Sequence, residues 1–572
     1  MSQTVAELMV DILHQAGARR CYGIPGDTLN HFTDALRRQG EIRWIHVRHE
    51  EVGGFAAGAD ALISDTLTLC AGSCGPGSLH FVNGLFESHR NGAPVVLIAS
   101  QILSDEQGFD FPQEVDFLQV YRQCSVYCEQ IHSPQQALRK TRQAVQEALN
   151  KRGVAVLVLP ADIAGLPAPS PDAVGPTFHP RPLVRPADAE LKQIAALLNS
   201  GRSIAIYGGV GCAGAQDAVK RLAGLLQAPI AHASRAKDFL EPQNPYTVGM
   251  IGMMGQEAGC HAVSHCDTLL ILGSGFAWRQ FYPAHATIIQ IDLDSAHLGR
   301  RHPITLGAVG DIRCTVEALL PMITPRPDRT FLDHCLERHR KDRDSLAQRA
   351  TPTHNGMIRP QYLTALIDRH ANADALFTAD GGSPMVWLLR YISARPGRRT
   401  LSSLVHGTMA NAMPQALGLK VAFPERQVIA LCGDGGLSML LGDLLTLVQE
   451  KIPLKLVVFN NSALFFVELE QRVEGMLEAF TNLQNPDFGP VAQSIGLWGR
   501  KVTHCDELEP AIVDWLAQPG PALLDVVVDQ ELVLPPAISV ESAKGMALYA
   551  AKAVISGHSD DLLTMIENHL VR

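Results

Sequence analysis

Two polar strand endings carry the clearest chemistry in the chain. Gly433-Asp434-Gly435 closes the apolar run QVIAL, and after 24 intervening residues Asn460-Asn461 closes LKLVVF. One strand–helix–strand crossover fits that interval and sets both endings side by side at one edge of a parallel sheet. An Asp, an Asn amide oxygen and a backbone carbonyl suit Mg²⁺, which prefers octahedral oxygen ligands and keeps positions for diphosphate oxygens and water. Glycines beside Asp434 let the backbone approach a diphosphate closely, and a helix start can face the anion. Either ending alone would be an ordinary turn; the pair at this spacing points to a diphosphate held through Mg²⁺. A second, weaker signal is GGVGCAGA (208–215), where Gly209, Gly211 and Gly214 keep a G-x-G-x-x-G register after a strand.

The elements that must position these residues are short apolar, β-branched runs closed by Gly, Asp, Asn or Pro. They are TLTLC (66–70), PVVLIAS (94–100), VAVLVLP (154–160), IAIYGG (204–209), TLLILG (268–273), TIIQIDL (287–293), ALFTAD (375–380), QVIALCGD (427–434), LKLVVFNN (454–461) and ALLDVVVD (522–529). Helical segments separate them, so the fold class is α/β, with parallel sheets covered on both faces and ligands beyond the strands' carboxyl ends. A Pro-rich stretch at 165–187 and a second break near 320–335 divide the chain. The expected units are 1–182, 183–334 and 335–530, followed by a tail, 531–572.

Bulk properties exclude some functions. The 572 residues need several cores, and a net charge of −10 argues against nucleic-acid binding. The twelve Cys contain no C-x-x-C pair; Cys70/Cys74 and Cys124/Cys128 stand at helical spacing and read as reduced thiols. The start, MSQTVAELMVDILHQAGA, has the pattern of an amphipathic helix rather than a signal peptide, and no apolar stretch is long enough to span a bilayer. A cytoplasmic protein is expected.

Several blocks carry a resemblance over nearly the whole chain: HVRHEEVGGFAAGA (46–59), CAGSCGPGSLHFVNGLFESHRN (70–91), GMIGMMG (249–255), HGTMANAMPQALG (406–418), GDGG (433–436), FNNSALFF (459–466) and AKGMALYAAKAVISG (543–557). The chain resembles the bacterial quinone-dependent pyruvate dehydrogenases, or pyruvate oxidases, of the acetolactate synthase superfamily. That resemblance implies three doubly wound domains of the thiamine-diphosphate enzyme type, for pyrimidine, FAD and diphosphate in that order. Glu50 would contact the cofactor's aminopyrimidine and relay a proton, which is general base catalysis through the cofactor tuned by one acid. Gly407 would accept from the 4′-amino group, beside Thr408, and Met409 would wedge the bent cofactor. Asp434, Asn461 and the Ala463 backbone would bind Mg²⁺. Gly435, Gly436, Ser462, Leu464, Phe465 and Phe466 complete that site, and His89, Gln113 and Phe466 would face substrate. Ile251, Gly252, Met253, Met254, Ser274, Gly275, Phe276, Ala277, Trp278, Arg279 and Asp292 would contact FAD.

The implied reaction is oxidative decarboxylation of a 2-oxoacid, with pyruvate giving acetate and CO₂, and electrons passing through FAD to a membrane quinone. A homotetramer with its site between subunits is implied, as is reversible phospholipid contact on the cytoplasmic face of the inner membrane. For that contact, Leu562, Met565, Ile566, His569 and Leu570 stand at helical spacing behind Asp560 and Asp561. Four departures surround the expected substrate cavity: Gly381 where Val is usual, Pro112 before Gln113, Phe465 where Gly is typical, and Glu468 as an added carboxylate. A carboligase of the acetolactate synthase or glyoxylate carboligase kind, and a non-catalytic cofactor-binding scaffold, are the alternatives.

Overall fold

A computed structural model of the chain describes residues 3–169, 177–531, 544–549 and 552. It contains three six-stranded sheets, in which all the pairings between strands are parallel. The first holds β1 (Arg20–Gly23), β2 (Arg43–His46), β3 (Thr68–Gly72), β4 (Val95–Gln101), β5 (Tyr127–Gln130) and β6 (Val154–Pro160), in spatial order β2-β1-β3-β4-β6-β5. The second holds β7 (Ile204–Gly208), β8 (Ile230–His232), β9 (Thr247–Met250), β10 (Thr268–Leu272), β11 (Thr287–Asp292) and β12 (Leu306–Val309), in order β12-β11-β10-β7-β8-β9. The third holds β13 (Leu376–Ala379), β14 (Arg399–Ser402), β15 (Val428–Gly433), β16 (Lys455–Asn460), β17 (Trp498–Val502) and β18 (Ala522–Val527), in order β14-β13-β15-β16-β18-β17.

The order of strands locates the sites. In the third sheet the chain runs outward from β13 to β14 and then returns to build away on β15, so the switch point lies between β13 and β15. In the second sheet it lies between β7 and β10. Open α/β sheets present a crevice for ligands at such points. Asp434, just past the end of β15, and the glycine turn after β7 fall there, with Asn460-Asn461 one strand further on at the end of β16.

Central strands such as β4 and β6 are buried at every position, as covering on both faces requires. One apolar core runs from the first sheet into the third, because helix Glu50–Ser64 packs on helix Ala412–Ala422. Their approach is set by Gly418, where a Cβ would run into the Ala56 carbonyl. The N-terminal helix Val5–Gln15 forms as its pattern suggests, with Thr4 and Glu7 closing a capping box.

Some local expectations are corrected. Cys70 lies in β3 and Cys74 in the loop beyond it, while Cys128 lies in β5, so neither Cys pair shares a helix. All twelve thiols are free. Helix Thr330–Arg349 crosses the expected second boundary and buries Leu332 and Cys335. Among the described residues, no helix is long and apolar enough to cross a membrane. Of the tail, residues 544–549 are helical, and Met546 packs on Leu469 and Val473. The face from Leu562 to Leu570 lies outside the described residues.

Candidate active site

At the third sheet's switch point β15 ends in Gly433, and Asp434 opens a short helix, Asp434–Met439. Asp434 Oδ1 accepts from the Gly435 amide at 2.9 Å. Its Oδ2 accepts from the Ser462 amide at 2.7 Å and from Asn485 Nδ2 at 2.8 Å. Burial raises its pKa, and the amide donors oppose the rise. Ser462 holds a left-handed φ of 56°, and that turn aims its amide at the carboxylate. Asn461 Oδ1 accepts from the Ala463 amide at 3.2 Å, whereas Asn460 is spent on the scaffold, donating to Asp525 at 3.0 Å. Among the described residues, no group of three or more His, Cys, Asp or Glu could hold a metal ion. One carboxylate, one amide oxygen and a carbonyl are instead a donor set for a hard cation that shares a diphosphate.

A cavity of about 360 Å³ opens beside these groups. Gly407, Met409, Asp434, Gly435, Gly436, Asn461, Ala463, Leu464, Phe465 and Phe466 all line it, so the structure brings most of the expected diphosphate residues together. Ser462 contributes through its backbone. Thr408 is held from behind, its amide donating to Ser403 Oγ at 2.9 Å and its hydroxyl accepting from Asn83 at 3.1 Å.

Two of the expected departures read differently in three dimensions. Gly381 does not widen the cavity: a Cβ there would run into the Thr408 carbonyl oxygen, so backbone fills the space of the absent side chain. Glu468 turns away, accepting from Thr481 Oγ1 at 2.7 Å and lying 3.8 Å from Arg472. Asp380, Asp434, Asp529 and Glu531 line the cavity, and so does Glu470, one turn beyond Phe466, with its pKa raised by partial burial and by Glu474. The four-residue spacing from Phe466 was the available signal, since both fall on one helix face. Phe465 is buried in the wall, and Pro112 lies on an exposed loop.

Glu50 stands at the first turn of helix Glu50–Ser64, buried, with Oε2 2.9 Å from His80 Nδ1. His80 stacks on His49 at 4.6 Å. Gln113, with φ 69°, accepts from Cys74 Sγ at 3.3 Å and so shares this edge of the first sheet. His89 does not: its Nδ1 is buried without a partner against Gly153, at the amino-terminal edge of β6. The helix Val82–Asn91 carries it there, back towards the start of β4. His80, which follows the GPG turn in the same sequence block, is the histidine beside Glu50. No residue of the first sheet unit is among those lining the Asp434 cavity.

At the second sheet's switch point, Gly209 and Gly211 serve packing between strand endings: a Cβ on Gly209 would lie 2.5 Å from Ser274 Cβ, and one on Gly211 2.7 Å from Gly273 Cα. Gly214, with φ 79°, faces open space. Ile251 and Phe276 are turned into the core, Phe276 against Tyr207 at 4.5 Å. Met253 and Trp278 are exposed, as are Val210 and Leu293. Gly252, with φ 119°, lies directly under the Trp278 ring. Ser274, Gly275, Ala277 and Arg279 belong to the same open segment, and Met254 is half-buried. Asp292 accepts from the Asp294 amide at 3.0 Å and lies 3.1 Å from His297 Nδ1. An apolar rim over glycine turns, with an acid at the neighbouring strand end, fits a flavin nucleotide.

Sequence comparison bears on the same elements. The chain matches three family profiles in order: the thiamine pyrophosphate enzyme N-terminal TPP binding domain over residues 3–120, the central domain over 191–319, and the C-terminal TPP binding domain over 380–526. An uncharacterized 42.6 kDa protein of Pseudomonas amyloderamosa is 48% identical over 343 residues, 60% of this chain and 87% of the relative. The provisionally named thiamine pyrophosphate-containing protein YdaP of Bacillus subtilis is 34% identical over 552 residues, 96% of each chain. Pyruvate oxidase of Lactiplantibacillus plantarum is 28% identical over 537 residues, 92% of this chain and 89% of the relative. Acetolactate synthases match at a similar level, 28–29%.

Proposed function

The chain belongs to the thiamine pyrophosphate enzyme family, and on that premise we propose that it decarboxylates a 2-oxoacid, pyruvate first among them, and passes the electrons through FAD to a membrane quinone. The observation that carries this reading is the pairing of two built sites in one chain. One is the Asp434 cavity, and the other is the apolar rim of Met253 and Trp278 at the second sheet's switch point.

Bound thiamine diphosphate supplies the C2 carbanion and the electron sink for loss of CO₂, and FAD would take up two electrons. The protein's residues place and protonate. Asp434, Asn461 and the Ala463 carbonyl would hold Mg²⁺, and the backbone of Gly435 and Gly436 would lie along the diphosphate. Met409 would wedge beneath the bent cofactor and keep its two rings in contact, and the Gly407 carbonyl would orient the pyrimidine amine. Glu50 would keep a proton at pyrimidine N1′, with His80 fixing the carboxylate in one orientation. Phe466, Glu470 and Gln113 would surround the acyl group. Met253, Trp278, Arg279 and Asp292 would hold the flavin.

Because Glu50 lies outside the Asp434 cavity in the chain, the reading places the complete site between subunits, with a partner copy closing each cavity and a tetramer as the assembly. The tail would make reversible phospholipid contact at the cytoplasmic face of the inner membrane. Its described part packs on the protein itself: residues 544–549 lie on helix Phe465–Val473, which opens at the cavity. Tyr549 donates to Glu478 at 2.6 Å and Lys552 to the Gly475 carbonyl at 2.7 Å.

The deciding measurement is anaerobic bleaching of the flavin by a panel of 2-oxoacids, with thiamine diphosphate and Mg²⁺ present. Bleaching by pyruvate with release of acetate is expected. A new carbon–carbon bond formed without bleaching would replace this reading with the carboligase one.

A further inference from the structure

Helix Ser383–Tyr391 connects the two candidate sites. At its start Ser383, Met385 and Trp387 line the Asp434 cavity. In its last turn Arg390 reaches the other unit: Nε donates to the Met254 carbonyl and a terminal nitrogen to the Gly255 carbonyl, each at 3.1 Å. Those carbonyls close the loop 251–255, whose first four residues are assigned to the flavin. From Ser383 to Arg390 is about two helical turns, roughly 10 Å.

The loop's own geometry explains why it needs such an anchor. Gly249 and Gly252 have φ of 84° and 119°, conformations that side chains rarely adopt and that cost glycine its freedom on folding. The Gly255 amide bonds to the Gly252 carbonyl and the Gln256 amide to the Met250 carbonyl, both at 2.9 Å, so the chain doubles back within six residues. On the far side Asp342 accepts from the Ala258 amide at 2.9 Å. The two outward-turned carbonyls of Met254 and Gly255 are thus satisfied from the third unit. A planar guanidinium supplies both bonds from one rigid fork, which an ammonium group does not.

We propose that Arg390 is a positioning residue that locks the flavin-facing loop 251–255 to the helix walling the diphosphate cavity, so that filling either site stiffens the other. Ordering of a shared element makes binding at two sites cooperative without any direct contact between the ligands. This rests on the FAD assignment above.

The test uses full-length apoprotein, with FAD titrated by quenching of its fluorescence, in the absence and presence of thiamine diphosphate and Mg²⁺. In the wild type the second condition should tighten FAD by about fivefold or more, at the lower end of ordinary coupling between sites. In Arg390→Met that enhancement should vanish, while thiamine diphosphate binding without FAD stays within about twofold of wild type. Arg390→Lys, which keeps charge but not the fork, should lose most of the enhancement, and it decides on the same criterion if the Met variant does not fold. Enhancement preserved in the variants overturns the proposal alone. A wild type that takes up thiamine diphosphate but no FAD overturns the proposal together with the FAD assignment.

Discussion

Asp380 Oδ2 accepts a hydrogen bond from the Gly433 amide at 3.0 Å, one residue before Asp434, while its Oδ1 accepts from the Ala412 amide at 2.8 Å. One buried carboxylate therefore fastens the end of β13 both to the turn that presents Asp434 and to the segment behind Met409. Gly436 leaves it room, since a Cβ there would run into Oδ2. Burial outweighs the two amide donors and pushes the Asp380 pKa up to about 7.

The pH dependence follows from that sign. An acid whose pKa rises from 3.8 to about 7 on folding holds its proton more tightly in the folded state. Its stabilising contribution is complete below about pH 4 and is lost as pH climbs through about 7. The melting-temperature difference between wild type and Asp380→Asn should shift against the wild type over that window. A difference that stays flat from pH 4 to 8 would show that Asp380 is ionised throughout.

Glu50 and His80 should separate by their kinetics. Glu50→Gln keeps size and hydrogen bonding but cannot share a proton with the pyrimidine, so turnover should fall by about 10²–10⁴. His80→Ala leaves the carboxylate in place without its 2.9 Å partner and should cost less, chiefly by altering the pH profile of turnover. Steady-state CO₂ release across pH checks both, and equal losses in the two variants would mean that His80 does more than orient Glu50.

How much of this was legible in the sequence depended on what each residue answers to. Asp434 and Asn461 could be read because the crossover length between two strands fixes where their ends lie. The runs that became β4, β6, β10 and β16 were plain because double-sided burial makes them continuously apolar. Edge strands were not: Arg43–His46, Tyr127–Gln130 and Trp498–Val502 are short and half-exposed, with polar residues that a pattern search takes for loop. His89 and Glu468 were misplaced for a different reason. A residue type near the right block says nothing of helix phase: His80 and His89 sit in successive helical segments at opposite edges of the sheet, and a step of two residues separates Glu470 at the cavity from Glu468 in the wall.

Gly381 offers a test of backbone filling. In a roomy cavity Gly381→Val would be neutral; here the new Cβ meets the Thr408 carbonyl, and forcing it in should cost about 1–3 kcal/mol. The strain falls on the Gly407–Met409 segment, so thiamine diphosphate affinity should drop along with the melting temperature. Calorimetric titration of the cofactor checks this, and unchanged affinity would mean that the loop yields freely.

Glu470 and Glu468 stand two residues apart on one helix, so exchanging each for Gln distinguishes a cavity acid from a scaffold acid. Glu470 faces the cavity with its pKa raised by burial and by Glu474, which suits it to exchange a proton with a bound acyl group. Glu470→Gln should lower turnover by about 10²-fold or more with little effect on melting, within the range for a positioned acid–base group. Glu468 accepts from Thr481 inside the wall; Gln keeps an acceptor oxygen there but removes the charge facing Arg472, which should cost about 1 kcal/mol of stability with turnover largely retained. If the two variants trade places, the helix presents its other face to substrate, and the acyl end of the cavity lies on the Thr481 side rather than beside Phe466.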